Sequence, residues 1–343
     1  MSSEKSVTFI NTVLFLFSTW GGSLDATQSS ENKLEQPQPR QKGAFKAKIK
    51  EIYRVHYKKL LLVTLIIVFL AILEVGLQFA ITGDFFKKDI SLKGGTSITV
   101  TLASPVEVTQ IQDELSKQFP KADLDVRSLS ATGTQIGIIV DATDVNETIL
   151  LSSLKNILGA KGKDYSLDVM GSSLGQSFFK ELIFAILAAF ALMATVVFIT
   201  FRTPVPSGYV VLCAFSDIIF TLAAVNLLGM RISTAGVAAF LMLIGYSVDT
   251  DILLTSNVLR RKEGTVLDRV LMGFKTGVTM DTTTIAAVTV GLIFSPSPVI
   301  QQIMTILLIG VCVDIPFTWI QNAGFLRLYL EKKEQRQKQG SSL

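Results

Sequence analysis

Five aspartates lie inside long apolar stretches of this chain: Asp217, Asp249, Asp251, Asp281 and Asp314. An ionised carboxylate at the centre of a membrane helix costs roughly 2.5 to 3.5 kcal/mol on insertion scales. No Lys or Arg falls within the same apolar stretches to neutralise them. Such acids must be protonated, bind a cation, be hydrated, or pair with a basic residue of a partner chain. The densest case is GVAAFLMLIGYSVDTDILLTS, Gly236 to Ser256, which carries both Asp249 and Asp251. Two positions apart on a helix is about 200°, so these two cannot share a face. Ser247, Asp251 and Thr255 make one stripe at four-residue spacing, and Gly245 and Asp249 make another. A helix polar on both sides is expected to be buried on both, one by its own bundle and one by a partner.

The elements that position these acids follow from composition. The chain has 343 residues, 49% hydrophobic and only 17% charged, with a mean hydropathy of +0.48. Soluble domains hold about 25% charged residues, and here the deficit is concentrated in long apolar runs. A polytopic α-helical membrane protein is expected. Six spans are expected: Leu60–Ile81, Phe178–Ile199, Ser207–Leu228, Gly236–Ser256, Gly277–Phe294 and Val299–Phe325. Glu74, in the first, is expected near the interface. The net charge is +4, and the Lys and Arg lie almost entirely outside the spans, which is a topology signal and not a nucleic-acid one. There is one histidine, His56, and no CxxC or HExxH pattern. No catalytic residue, metal site or cofactor is expected. Cys213 and Cys312, both in spans, are expected as buried core thiols.

The basic connections sort to one side. Arg202, the loop Arg260–Lys275 and the tail Lys332–Lys338 lie opposite the long insert, the Gly229–Thr234 turn and the SPSP turn; Arg231 alone breaks the bias. The positive-inside rule puts both termini in the cytoplasm and the insert outside a cell membrane. Helix rise then places Asp217 roughly 15 Å from the cytoplasmic start of its span and Asp249 and Asp251 roughly 8–11 Å from the cytoplasmic end of theirs. Asp314 is on the order of 15 Å deep, with Pro316 close by to open the backbone. Asp281, in MDTTT, is nearer the surface and is open between a site residue and an interfacial cap.

Five regions result. Residues 1–45 form an extension with a short apolar run, Val7–Trp20, open between a signal-type segment, an interfacial segment and an upstream extra. Residues 46–81 hold a basic flank, KAKIKEIYRVHYKK, and the first span. The stretch Ala44–Lys59 is open between a surface amphipathic helix and a plain flank. Residues 82–177 are the outer insert, 178–325 a five-helix bundle and 326–343 a basic tail. Within the insert the patterns run strand Thr96–Leu102, helix Pro105–Gln118 capped by Ser104, and strands Leu124–Leu129 and Thr134–Asp141 about an Ala-Thr-Gly turn. Helix Asp144–Ile157 and strand Tyr165–Met170 complete it. This β-α-β-β-α-β order is the ferredoxin-like arrangement, an α+β docking domain without a catalytic cluster.

Several motifs, in order, resemble a known family. GYSVDTDILLTSNVLRRKEG resembles the fourth-span motif of the SecF family, and SGYVVLCAFSDIIFTLAAVNLLGMRIS its third span. DISLKGGTSITV is similar to the Gly-Gly motif that follows the first span in SecD and SecF. DIPFTWIQNAGFLRLYLEKK looks like the ending of archaeal SecF proteins. The likeness covers about residue 46 to 333, and the short insert favours SecF over SecD. Departures are Ser91 where an Asp commonly precedes the Gly-Gly pair, with Asp89 two positions earlier; no counterpart in GVTMDTTTIAAV to the fifth-span Arg of bacterial forms; and no match for residues 1–45.

The resemblance implies a non-enzymatic accessory subunit of the Sec protein-export machinery, within the resistance-nodulation-division superfamily. It implies partners SecD, a SecY-type channel and exported polypeptides, with a proton or sodium gradient as energy source. Carried onto this sequence, Asp249 is the leading ion-coupling candidate, with Asp251, Asp217 and Asp314. Gly94, Gly95, Gly245 and Pro316 are the hinge candidates. Two other functions are weighed: a scaffold that only stabilises the channel, and a lipid or small-molecule exporter. The single short six-span half speaks against the exporter.

Overall fold

A computed structural model describes residues 42–131, 134–261 and 264–340. The run Val7–Trp20 and most of the Ala-Thr-Gly turn lie outside them. Helix α1 (Lys42–Thr82) leads to a one-turn helix α2 (Ile90–Lys93). The insert follows as β1 (Gly95–Leu102), α3 (Val108–Gln118), β2 (Leu124–Ala131), β3 (Thr134–Ala142), α4 (Glu147–Leu158) and β4 (Gly162–Met170). Then come α5 (Ser172–Phe201), α6 (Pro204–Leu227), α7 (Thr234–Arg260), α8 (Val266–Phe294) and α9 (Pro298–Pro316). A π-helical turn, Phe317–Asn322, joins α9 to α10 (Ala323–Gly340).

Among the described residues, six helices are long and apolar enough to cross a membrane. They are Val55–Thr82 of α1, then α5, α6, α7, α8, and the stretch Pro298–Gln337 through α9 and α10. One expected connection and one expected buried thiol differ. The Arg260–Lys275 loop is mostly helical, because Thr265 and Asp268 form a capping box that starts α8 at Val266. Cys312 faces outward, and only Cys213 is a buried thiol.

The insert is an antiparallel sheet of order β2-β3-β1-β4 with both helices on one face, the ferredoxin-like topology. Ile98, Val100, Ile138 and Val140 alternate toward the helices, and Leu115, Leu150 and Leu154 meet them, all fully buried. Each such side chain contributes roughly 1.5–3 kcal/mol. The first helix begins later than expected. Glu107, not Ser104, occupies the N-cap position, and no side chain caps it there. Asn146 caps α4 by accepting from the Thr148 and Ile149 N–H groups.

The insert leaves the bundle on a stem of two closely apposed strands, since Gly95 of β1 pairs with Met170 of β4. Gly94 (φ +88) and Gly95 (φ +141) carry the chain through this crossing. Leu92, just before them, is 1% exposed and packs with Ile232, Val237 and Ile306 of the bundle. The stem is also tied to the α6–α7 turn. Ile232 N donates to Lys87 O at 2.8 Å, Asp89 N to Ile232 O at 3.0 Å, and Thr234 N to the Ser91 hydroxyl at 3.1 Å. Ser91 thus helps hold the start of α7.

A charged seam lies beside this stem. Arg127 of β2 pairs with Asp141, and lies 3.2 Å from Asp125 and 3.6 Å from Asp89. Arg231 and Lys93 pair with Asp123 at 2.7 and 2.9 Å. Burial and the neighbouring Asp141 push the Asp89 carboxyl up to about 6, against the pull of Arg127. Hydrogen bonds from Arg231, and then Lys93, pull Asp123 down to about 2. Folded Asp89 therefore takes up its proton more readily than the unfolded chain does. Its contribution to stability is full below the ordinary carboxyl value of 3.8 and is lost progressively as pH rises from there through about 6. Raising pH from 5 to 7 should lower folded stability through Asp89 by about 1.4 kcal/mol in all. Asp89→Asn, which keeps a cap on α2, should flatten that slope in thermal unfolding; an unchanged slope would exclude Asp89 as its source.

Candidate functional site

Three helices each present polar groups at four-residue spacing to one point in the bundle. Cys213 and Asp217 come from α6, Ser247 and Asp251 from α7, and Asp314, Thr318 and Asn322 from α9 and its π turn. All seven are buried, none more than 1% exposed. Four-residue spacing stacks side chains on one helix face, and that face is inward here. The Asn322 carboxamide donates to Asp251 Oδ1 at 2.7 Å, and the Thr318 hydroxyl lies 3.1 Å from Asp251 Oδ1 and 3.2 Å from Asp314 Oδ1. Ser247 donates to Asp217 Oδ2. The Asp217 and Asp314 carboxyls face each other, and the Cys213 thiol lies beside Asp251. Gln321 donates to Ser216 at 2.9 Å, bracing the π turn against α6.

Each carboxyl in this cluster has one oxygen with a donor and one without. Asp217 Oδ1, Asp251 Oδ2 and Asp314 Oδ2 are buried and meet no hydrogen-bond partner among the described residues. No described Lys or Arg forms an ion pair with any of the three. Like charges 4 Å apart repel by about 4 kcal/mol even at an effective dielectric constant of 20. Three ionised carboxylates at this point would be strongly unfavourable, so the cluster is suited to carrying protons among its oxygens. Among the described residues no group of three or more His, Cys, Asp or Glu side chains converges as a metal site.

The structure divides the acids differently from the expectation. Asp217, Asp251 and Asp314 come together. Asp249, the leading candidate from sequence, is exposed on the opposite face of α7. Gly245 on the same face has open space where a Cβ would stand. The two acids do lie on different faces, and this chain covers one of them, the Asp251 face, leaving the Asp249 face exposed. Asp281 differs in the other direction. It is fully buried, not a surface cap, and accepts from the Tyr246 hydroxyl at 2.9 Å.

In the sequence Asp281 stands open between a site residue and an interfacial cap, and one pattern there points to burial. Gly273, Gly277 and Asp281 repeat at four-residue spacing along α8. Trp319 of the π turn lodges against this stripe, so close that a Cβ on Gly277 would fall 2.1 Å from its ring. Phe274 meets the same indole edge-on at 5.2 Å between ring centres. The π turn begins directly after Pro316, whose missing N–H leaves a gap in the helical ladder. One short turn therefore places Thr318 and Asn322 on the acids, Gln321 on α6 and Trp319 on α8.

Comparison with known proteins gives one consistent family. The family described as protein export membrane protein SecD/SecF, C-terminal, matches residues 150–332. The protein-export membrane protein SecF of Pyrococcus furiosus is 39% identical over 300 residues, covering 86% of this chain and 99% of that one. SecF of Methanocaldococcus jannaschii is 37% identical over 282 residues, covering 80% and 96%. The fold is that of the crystal structure of SecDF, a translocon-associated membrane protein from Thermus thermophilus, with a TM-score of 0.64 at 18% identity. The match covers 81% of this chain and 38% of that longer one.

Proposed function

The chain belongs to the SecF family of protein-export membrane proteins, and on that premise we propose that its buried aspartates couple an ion gradient to export. It serves Sec-dependent protein export as a membrane subunit, without catalysing a covalent reaction. Its partners are a SecD subunit, a SecY-type channel and the exported polypeptide. It sits in the cell membrane with both termini in the cytoplasm and the insert outside, as the basic connections support.

The observation that carries this reading is the cluster of Asp217, Asp251 and Asp314, buried without a basic counterpart among the described residues. A proton entering it removes one charge and the repulsion that goes with it. That changes which packing of α6, α7 and the π turn is preferred. The outward face of α7, with Gly245 and Asp249, is where a partner subunit would cover the remaining acid.

A proton gradient imposed alone on vesicles holding the assembled translocase should raise export severalfold, and a protonophore should remove the gain. A sodium gradient alone should do little. Equal export with the gradient present and collapsed would defeat the coupling. One observation favours a scaffold instead: Ser247, Thr318 and Asn322 satisfy one oxygen of each acid, as structural ties would. A scaffold tolerates the loss of the gradient.

A further inference from the structure

We propose that Arg231 is the clasp by which α7 holds the outer domain, and through which movement of α7 reaches it. This rests on the reading of the chain as a gradient-coupled export subunit and adds the route of coupling. Arg231 sits in the turn just before α7, the helix that carries Ser247 and Asp251 at its middle. Its guanidinium grips Asp123 with two hydrogen bonds, at 2.7 and 3.1 Å, and lies 3.4 Å from Asp125. Both acids belong to the sheet domain, one just before β2 and one within it. A planar two-point contact fixes orientation as well as distance, which a single ammonium contact does not.

The rest of the seam explains why this contact has a directing role. The Arg231 carbonyl accepts from Gln302 of α9 at 2.5 Å, and Ile232 next to it is bonded to the stem. The turn is thus rigid on the bundle side. On the domain side, contact with the bundle is sparse near β2 and β3. A cavity of about 190 Å³, lined by Arg127, Leu129, Ile139, Met230, Pro298 and Gln301 among others, lies between the sheet and the helix ends. Beside such a space the domain is held by discrete polar ties and not by close packing. These are Arg231 to Asp123 and Asp125, Lys93 to Asp123, Arg127 to Asp89, and Gln301 to the Ser130 carbonyl at 2.5 Å. A joint made of a few discrete ties can exchange between two arrangements.

The groups facing the clasp also set its trigger. Arg231 meets Asp123 and Asp125, with Lys93, Arg127 and Asp141 around them. Asp123 stays ionised down to about pH 2, so acid outside the membrane does not open the Arg231 contact. The contact changes only if α7 moves its end. Asp89, which titrates near 6, pairs with Arg127 and not with Arg231 among the described residues.

The test uses the full chain in lipid vesicles with its translocase, spin labels on Ile149→Cys of the domain and Leu228→Cys of the bundle, and Cys312→Ser. Arg231→Gln should broaden the label distance distribution and lower gradient-driven export by about tenfold. Arg231→Lys should restore part of both, and Asp123→Asn, on the other side of the clasp, should reproduce the Gln result. A wild-type distance distribution in Arg231→Gln overturns the proposal. So does a broadened distribution with wild-type export, which would leave Arg231 a structural tie only. The reading beneath it fails separately, through gradient-independent export by the unsubstituted chain.

Discussion

Asp251→Asn is expected to abolish gradient-stimulated export while leaving the chain folded. Asn is nearly isosteric with Asp, and its carboxamide oxygen can still accept from Asn322 and Thr318, which now approach Asp251 Oδ1 at 2.7 and 3.1 Å. What is lost is the ability to change charge. Moving one charge through 100 mV is worth about 2.3 kcal/mol, close to fifty-fold in a two-state equilibrium. Export in vesicles with an imposed proton gradient should fall tenfold or more, approaching the rate without a gradient. The thermal unfolding midpoint should change by only a few degrees, about the scale of 1 kcal/mol in a chain of this size. Asp217→Asn, at the Ser247 contact, should behave alike. Asp249→Asn leaves the internal cluster complete and should preserve gradient dependence; a loss there would locate the coupling at the outward face of α7. Wild-type export by Asp251→Asn under a full gradient would end the mechanism.

Gly94→Ala is expected to be among the most damaging small substitutions in the chain. Its backbone lies at φ +88, ψ 156, a region open essentially to Gly alone. The added Cβ would also meet Ser172 Cα at 2.5 Å and Ser172 N at 2.8 Å, backbone atoms that cannot rotate away. Strain and overpacking each cost about 1–3 kcal/mol. Together they should destabilise the stem by about 3 kcal/mol or more. Thermal unfolding and protease sensitivity of the insert measure this. Gly245→Ala is the control, since nothing stands within 4 Å of its added Cβ. Equal behaviour of the two variants would show that the stem crossing does not require Gly94.

The membrane spans and the βαββαβ insert were legible because hydropathy and alternation are local signals. The inward stripe of Ser247, Asp251 and Thr255 was legible for the same reason. Which face of α7 the bundle covers was not. The angle between Asp249 and Asp251 follows from one helix, but coverage depends on α6 and α9, which are distant in sequence. Asp281 was placed too shallow because the basic residues before it suggested a loop, whereas the Thr265–Asp268 box extends the helix beneath them. Arg231 looked like an exception to charge bias, and its partners Asp123 and Asp125 lie more than a hundred residues earlier. Long-range pairing of this kind leaves no mark in either local pattern. Pro316 did announce a break, but not that the break would be a π turn.

The π turn after Pro316 bears on how this chain can change over evolution. In a regular α-helix, two four-residue steps overshoot two full turns by about 80°. Asn322 would then drift off the face that carries Asp314. The wider π turn takes up that drift and keeps Asp314, Thr318 and Asn322 in line on the acids. The same turn holds Trp319 against Gly273 and Gly277 on the far side. Loss or gain of one residue between Phe317 and Asn322 would swing everything beyond it by about 100°, unseating the carboxamide and the indole together. The segment should therefore accept changes of residue type far more readily than changes of length, in contrast with the turns at either end of the bundle.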